Sequence, residues 1–282
     1  MTTASVTALP HRALIAVSGP DWARFLKGLC TAHIDNIVEE TARGEFHRLH
    51  YGAFLRPQGK MICDVLLHAV SADEIWLDVP LPERDDLLAK LNMYKLRAKV
   101  TITTPDHPVY VAFGGDLPEG FMTDPRGSII DGVFGFAYAA QTETASDWDW
   151  IMYRMARGLS DPGFDFGKDE MYAIDANLDL LGAIDFHKGC YVGQELTSRM
   201  KRRGQIKNRI MPFRYENEAP EEFAEILKID RRAGEVLMAG HGLGLGLMRV
   251  DRRDGDLTVE GRPLTLIMPG WITPTLPELT SE

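Results

Sequence analysis

The sequence predicts an α+β protein closed by a small C-terminal β-barrel, and three features of the 282-residue chain carry that prediction. Residues up to Pro105 read strand, helix, strands, helix, strand, an order that suits antiparallel sheet covered by helices. Residues 106–140 are short aromatic strands broken by Gly and Pro, and they lead into a helical stretch at 147–158. Beyond Gly204 nearly every apolar run ends in a turn, the pattern of short strands that close into a barrel. The expected divisions are 1–105, 106–204 and 205–282, in keeping with a length that exceeds one average domain.

The first strand is placed at Ala13 to Val17. After it, Ser18, Gly19 and Pro20 precede Trp22, Phe25, Leu26 and Leu29, a capped helix with an i, i+3, i+4, i+7 stripe. FHRLHYGAFL, then MICDVLLHAV beyond the Pro57 to Gly59 turn, then EIWLDV after Asp73 read as a meander of strands. Leu87, Leu88, Leu91 and Tyr94 mark a second helix, and RAKVTIT is the strand that ends this unit. DWDWIMYRMARG has helical spacing and stops at Gly158. IKNRIMPFRY, EILKI, EVLMAG, LGLGLMRV, LTVEG and PLTLIM are the barrel strands, and the tail with Pro274 and Pro277 reads as a loosely held end.

Composition removes several classes of function. With 45% hydrophobic and 26% charged residues the chain has the side chains of an ordinary globular protein. Its apolar runs, such as Val65 to Leu67, fall far short of the roughly 20 residues of a membrane helix. A net charge of −10 argues against a stable nucleic-acid complex. The N-terminus carries no secretory or Arg-rich pattern, so a cytoplasmic address is expected. Cys30, Cys63 and Cys190 are three in number and far apart, which points to reduced thiols and to no metal site made by this chain alone.

The stretch KGCYVGQE, residues 188–195, concentrates chemistry. Gly189 and Gly193 bracket Cys190 and permit backbone approaches that a side chain would block. His187, Lys188 and Arg199 are placed to stabilise a thiolate, although a buried cysteine in a plain turn is the commoner case on residue type alone. ELTSRMKRRGQIKNR gathers Arg199, Lys201, Arg202, Arg203, Lys207 and Arg209, either as an anion site or as a solvated helix face. On the strand from Met61 to Val70, Asp64 is expected to share a face with Ile62, Leu66 and His68. A carboxylate there is either desolvated, with its pKa raised, or at an edge facing water. Glycines 242, 244 and 246 in HGLGLGLM lack G-x-G-x-x-G spacing and read as a glycine-punctuated strand. His47 and His50 lie three apart in a strand and do not share a face, so a zinc site there is not expected.

KGCYVGQE, together with SGPDWARFLKGLCTAHI, LRPQGKMICDVLL, MYKLRAKV and ANLDLLGAIDFHKGCYVGQELTSR, closely resembles the YgfZ family of folate-binding proteins. That family is similar to the glycine-cleavage T-protein, an aminomethyltransferase, and its mitochondrial relatives assist iron-sulfur assembly. The resemblance covers nearly the whole chain. It implies two intertwined α+β subdomains, the first of them folate-binding-like, and a C-terminal β-barrel around a central channel where folate sits.

The carry-over is selective. GKMICD resembles the T-protein pattern G-x-x-x-D-D, with Asp64 at its second aspartate but Cys63 at its first. RMARG resembles R-x-E-A-G, with Ala156 where the pterin-holding glutamate would stand. The implied function is a tetrahydrofolate-binding accessory protein for iron-sulfur clusters in client enzymes, among them radical enzymes that modify tRNA. Cys190 is then a functional thiol and a possible ligand of a transient cluster shared with an iron-sulfur carrier or client, and Asp64, the second catalytic candidate, is implied to line the folate channel. Lys188, Gly189, Gly193, Gln194, Glu195 and Arg199 are the implied folate-binding positions. The alternatives are a folate-dependent one-carbon transferase with an unknown acceptor, and a structural module in which Cys190 is buried and inert.

Overall fold

A computed structural model describes residues 2–203 and 206–276. The chain begins with β1 (Ser5–Ala8), β2 (Arg12–Ser18), α1 (Trp22–Lys27) and α2 (Ile34–Ala42). It continues with β3 (Leu49–Leu55), β4 (Met61–Ser71), β5 (Glu74–Pro80), α3 (Leu81–Lys95) and β6 (Thr101–Thr103). Five of these strands make an antiparallel sheet in the order β3-β4-β5-β2-β6. Its two faces are both covered, and alternate side chains go to each. Ile15 and Val17 of β2 join Leu26, Ile37, Leu87 and Leu91 in a core beneath the helices. Leu14, Tyr51, Ala53 and Leu66 face the opposite way, into the larger central core.

Three local readings change. RAKVTIT is a strand only at Thr101–Thr103, because Leu96 turns the chain with φ 40° and Val100 then donates to the Ala98 carbonyl. The strand expected from Phe46 begins at Leu49. A β-bulge lies opposite Phe54 and Leu55 and breaks the alternation of β4, so Ile62 and Cys63 both enter the helix-side core. Ile62 therefore does not share the face of Asp64.

The second sheet has the order β1-β7-β9-β8, using β7 (Tyr110–Phe113), β8 (Met122–Thr123) and β9 (Phe134–Ala137). Ser5 pairs with Phe113 across β1 and β7. The chain's first strand thus completes the second sheet, and a cut at residue 105 does not leave both sheets whole. α4 (Asp147–Met155) starts at a reciprocal cap, in which Ser146 Oγ accepts from the Asp149 amide at 3.2 Å and Asp149 Oδ2 accepts from the Ser146 amide at 2.9 Å. Residues 159–193 run through turns between the two sheets, with Ile174, Leu178, Leu181 and Ile184 in the central core.

After α5 (Gln194–Arg203) come β10 (Asn208–Tyr215), β11 (Glu225–Lys228), β12 (Arg231–Gly240), β13 (Leu243–Arg249), β14 (Leu257–Val259) and β15 (Arg262–Leu266). They close into a barrel in the order β10-β13-β12-β11-β14-β15 around Met211, Phe213, Val236 and Met248. HGLGLGLM is the strand expected: a Cβ on Gly244 would lie 2.3 Å from Phe213 Cζ, so the ring occupies the space of the missing side chain. Gly204 and Gln205, at the expected start of the barrel module, and the tail with Pro277 lie outside the described residues. Among the described residues no helix is long and apolar enough to cross a membrane.

Candidate functional site

The loop that carries KGCYVGQE is fastened at both ends. Asp185 Oδ1 accepts the amides of His187 at 2.8 Å and Lys188 at 3.0 Å, a side-chain turn that sets the chain's direction. The Asp185 amide donates to the Thr31 carbonyl at 2.9 Å, and Thr31 Oγ1 donates to the Ala183 carbonyl at 2.7 Å. On the far side the Val192 amide donates to the Gly28 carbonyl at 3.1 Å. Gly193 has φ +86°, and a Cβ there would lie 2.8 Å from the Arg56 carbonyl oxygen. Glycine is needed at 193 both for its conformation and for the approach of the loop to β3. Gly189 has open space around it and no positive φ, so the expected constraint holds at only one of the two glycines.

The Lys188 side chain is engaged by backbone carbonyls. Its ammonium turns inward and donates to the carbonyls of Cys30 and Ala32, the latter at 2.9 Å, and burial lowers its pKa. It is a staple between the loop and the α1–α2 connection. Its ammonium also sits 5.0 Å from the centre of the Tyr191 ring, whose buried hydroxyl has its pKa pushed up to about 12 by burial.

Between these anchors Cys190 is exposed, whereas Cys30 and Cys63 are buried and burial raises the pKa of both. The reading in which Cys190 is buried and inert is thereby corrected: the turn puts the thiol outside. Cys190, Gly193, Gln194 and Glu195 line a groove of about 1040 Å³ that also takes in Tyr94, Phe186, Lys201 and Arg202. Arg199 is exposed on α5 but does not line it. The basic run is split by its surroundings. Arg209 is fully buried, with Nη1 and Nη2 at 2.5 and 3.0 Å from Asp179, and Lys201 holds the same carboxylate at 2.9 Å. Those two cations are neutralised in place, which removes them from an anion site. The Arg203 side chain lies outside the described residues.

Asp64 lies elsewhere, at the molecular centre. It is 1% exposed and 3.4 Å from Arg12 Nη1, so the edge position is excluded. The same Arg12 nitrogen holds Asp161 at 3.1 Å, and Arg12 Nε donates to Asp78 at 2.6 Å. His11 Nε2 lies 3.0 Å from Asp161, and Arg154 grips Asp165 through two bonds of 2.6 Å. Burial pushes the Asp64 carboxyl up to about 6, against the pull of Arg12 and with the repulsion of Asp161. Burial acts on Asp161 too, but His11, Arg12 and Arg154 outweigh it and hold that carboxyl below the usual range. None of these partners was legible beforehand, since a lone Arg12 or Asp78 inside an apolar run carries no spacing signal. The cavity beside the cluster, lined by Arg12, Arg126, Trp150, Arg154 and Asp161, measures about 10 Å³. That is room for about one water, against the roughly 300–1,000 Å³ of cofactor sites.

Residues 207–274 match the family described as CAF17, C-terminal beta-barrel domain. The fold is similar to that of glycine cleavage system aminomethyltransferase T from Bartonella henselae, with a TM-score of 0.71 over 95% of this chain and 86% of that one. At 14% identity that likeness speaks for the fold alone. The mitochondrial iron-sulfur cluster assembly factor IBA57 homolog of Mycosarcoma maydis is 30% identical over 76% of this chain and 58% of its own length. Its counterpart in Pyricularia oryzae is 30% identical over 95% of this chain and 77% of its own length.

The chain belongs to the IBA57 family of iron-sulfur cluster assembly factors.

The mouse IBA57 protein is 27% identical over 93% of the chain and 84% of its own length. The chain thus spans between 58 and 84% of the length of these IBA57 relatives. All three are named as mitochondrial, which overturns the cytoplasmic address expected from the N-terminus. Within the IBA57 framework the aminomethyltransferase-like fold with its closed six-stranded barrel stands as expected.

Proposed function

We propose that this chain assists the making or maintenance of iron-sulfur clusters in client enzymes, with Cys190 as its working thiol. The observation that carries the proposal is the mounting of Cys190: it is the exposed cysteine of the three, on a loop fixed by Asp185, Lys188 and Gly193 at the edge of a large groove. The names of the IBA57 relatives support the cluster role. Among the described residues no three His, Cys, Asp or Glu side chains are grouped to hold a metal. One thiolate from Cys190 therefore supplies one ligand, and the remaining ligands come from a carrier or client protein. Ligation releases the thiol proton, so the shared cluster forms more readily as pH rises.

The Lys188-Gly189-Cys190 sequence supports placing the chain with the YgfZ type, and radical enzymes that modify tRNA belong to the proposed clients. Tetrahydrofolate or a derivative is the proposed ligand, on the strength of that resemblance and of the fold. Near the Asp64 cluster the carboxylate is engaged by Arg12, and the adjoining cavity is about 10 Å³. The one-carbon transferase reading is the weaker one, because Asp64 is so committed and Ala156 brings no carboxylate at the exposed end of α4.

Two measurements separate the parts of the proposal. A neutral maleimide is expected to modify Cys190 in the native protein while sparing Cys30 and Cys63. Protection of Cys190 until denaturation would remove the thiol role. Titration with tetrahydrofolate, followed by tryptophan fluorescence, tests the ligand, and a flat titration would strike folate from the proposal while leaving the thiol in place.

A further inference from the structure

In MYKLRAKV, Val100 belongs to the helix-side core, but Met93, Tyr94 and Leu96 do not. These three make an apolar surface. At the end of α3, Met93 is 64% and Leu96 87% exposed, and Tyr94 beside them is also exposed. Leu96 ends α3 with a backbone φ of 40°. Tyr94 lines the Cys190 groove and also a neighbouring pocket of about 320 Å³ that includes Arg24, Lys95, Leu96 and Arg97. The apolar patch and the thiol groove are therefore one continuous surface.

Its charge is cationic. About half of the arginines of this acidic chain are paired with carboxylates. Among the described residues, however, Arg24, Lys95, Arg97 and Lys99 have no carboxylate within 4.0 Å. Asp21, which lines the same pocket, accepts from the Lys99 amide at 2.8 Å and is the single carboxylate there. Arg24, Lys95 and Arg97 thus outnumber it beside exposed Tyr94 and Leu96, in a protein of net charge −10.

We propose that this surface docks an acidic, apolar-faced segment of a partner protein and so brings the partner's cysteine over Cys190. The inference rests on the reading of Cys190 as the working thiol and adds the chemistry of what it meets. Apolar side chains at the centre and cations at the rim match a protein segment with Leu, Ile or Phe flanked by Asp and Glu. They match a phosphate backbone less well, since the exposed Met93 and Leu96 would find no counterpart there.

The test uses the full chain and short synthetic peptides bearing one cysteine activated as a mixed disulfide with nitrothiobenzoate. The Cys190 thiolate attacks the peptide sulfur, a new disulfide joins the two, and nitrothiobenzoate leaves and is read by its absorbance. An acidic, leucine-rich peptide is expected to be captured at least about tenfold faster than its lysine-containing isomer at low salt. The difference should shrink as salt is raised. Met93→Ser with Leu96→Ser, and separately Arg24→Glu with Arg97→Glu, should each slow that capture severalfold. Neither pair should change the rate with a small aromatic disulfide, which reads Cys190 alone. Equal rates for acidic and basic peptides would overturn the proposal, as would a preference that survives both pairs of substitutions. So would an oligonucleotide that blocks capture as well as the free acidic peptide does. A Cys190 unreactive even toward the small disulfide would instead count against the thiol reading itself.

Discussion

Gly193→Ala is expected to loosen the Cys190 loop, and its cost can be built from two parts. The residue sits at φ +86°, where an alanine loses about 1–2 kcal/mol relative to its ordinary conformations. Its new Cβ would meet the Arg56 carbonyl oxygen at 2.8 Å, Leu55 Cβ at 2.8 Å and Leu55 Cδ1 at 3.1 Å. Two of these atoms belong to or hang directly from the backbone of a sheet edge, which does not swing aside. Overpacking of this kind costs about 1–3 kcal/mol. The sum, about 2–5 kcal/mol, is a large share of a typical stability of about 5–15 kcal/mol. Gly189→Ala is the control, because nothing lies within 4 Å of its Cβ and the loss of unfolded-state freedom should leave stability unchanged or raised by up to about 1 kcal/mol. Urea unfolding of the two variants, with native alkylation of Cys190 as a second readout, gives the comparison. If Gly193→Ala stays within about 0.5 kcal/mol of the wild type, the claim that the loop is pinned against β3 is refuted.

Three further outcomes follow from the buried charges. Folded Asp64 keeps its proton up to about pH 6, whereas an unfolded aspartate releases it near pH 4. The folded state holds the extra proton in between, so stability drawn from the neutral form is lost as pH rises from about 4 to 6. Asp64→Asn should flatten that part of the profile and leave stability at pH 7 equal to the wild type or higher by up to about 3 kcal/mol. Thermal melts against pH decide it, and an unchanged slope would contradict the assignment. Lys188→Met strands the Cys30 and Ala32 carbonyls and should cost about 1–3 kcal/mol without moving the pH dependence of Cys190 alkylation. A shifted profile would restore the lysine as a thiolate stabiliser. Arg209→Met leaves the buried Asp179 with Lys201 alone and should cost about 3–5 kcal/mol, while Arg199→Met should stay within about 0.5 kcal/mol. Equal effects would mean that the basic run acts as one surface.

The strands and helices with strong periodicity were legible in the sequence, because Val, Ile and Leu at period two or at 3.6 leave few alternatives. The barrel was readable from its turns, and Gly244 shows why glycine recurs in its strands: Phe213 fills the space. What escaped depended on contacts distant in sequence. β1 joins a strand more than a hundred residues later, and α2 is a short helix whose cap makes no side-chain bond. The bulge in β4 reversed the side of Ile62. For the site, the special character of Cys190 and Gly193 was visible in KGCYVGQE. The direction of Lys188 was not, since it depends on carbonyls of the α1–α2 connection. Asp64 was singled out, yet the partners that decide its proton come from β2, β5 and the loop after α4.

The central claim is that Cys190 is the residue through which the chain serves iron-sulfur proteins. Cells lacking their own member of this family, and showing low activity of a cluster-dependent enzyme, provide the most direct measurement. The wild-type chain should restore that activity, and Cys190→Ala, expressed to the same level and equally stable, should not. Full rescue by Cys190→Ala would contradict the account.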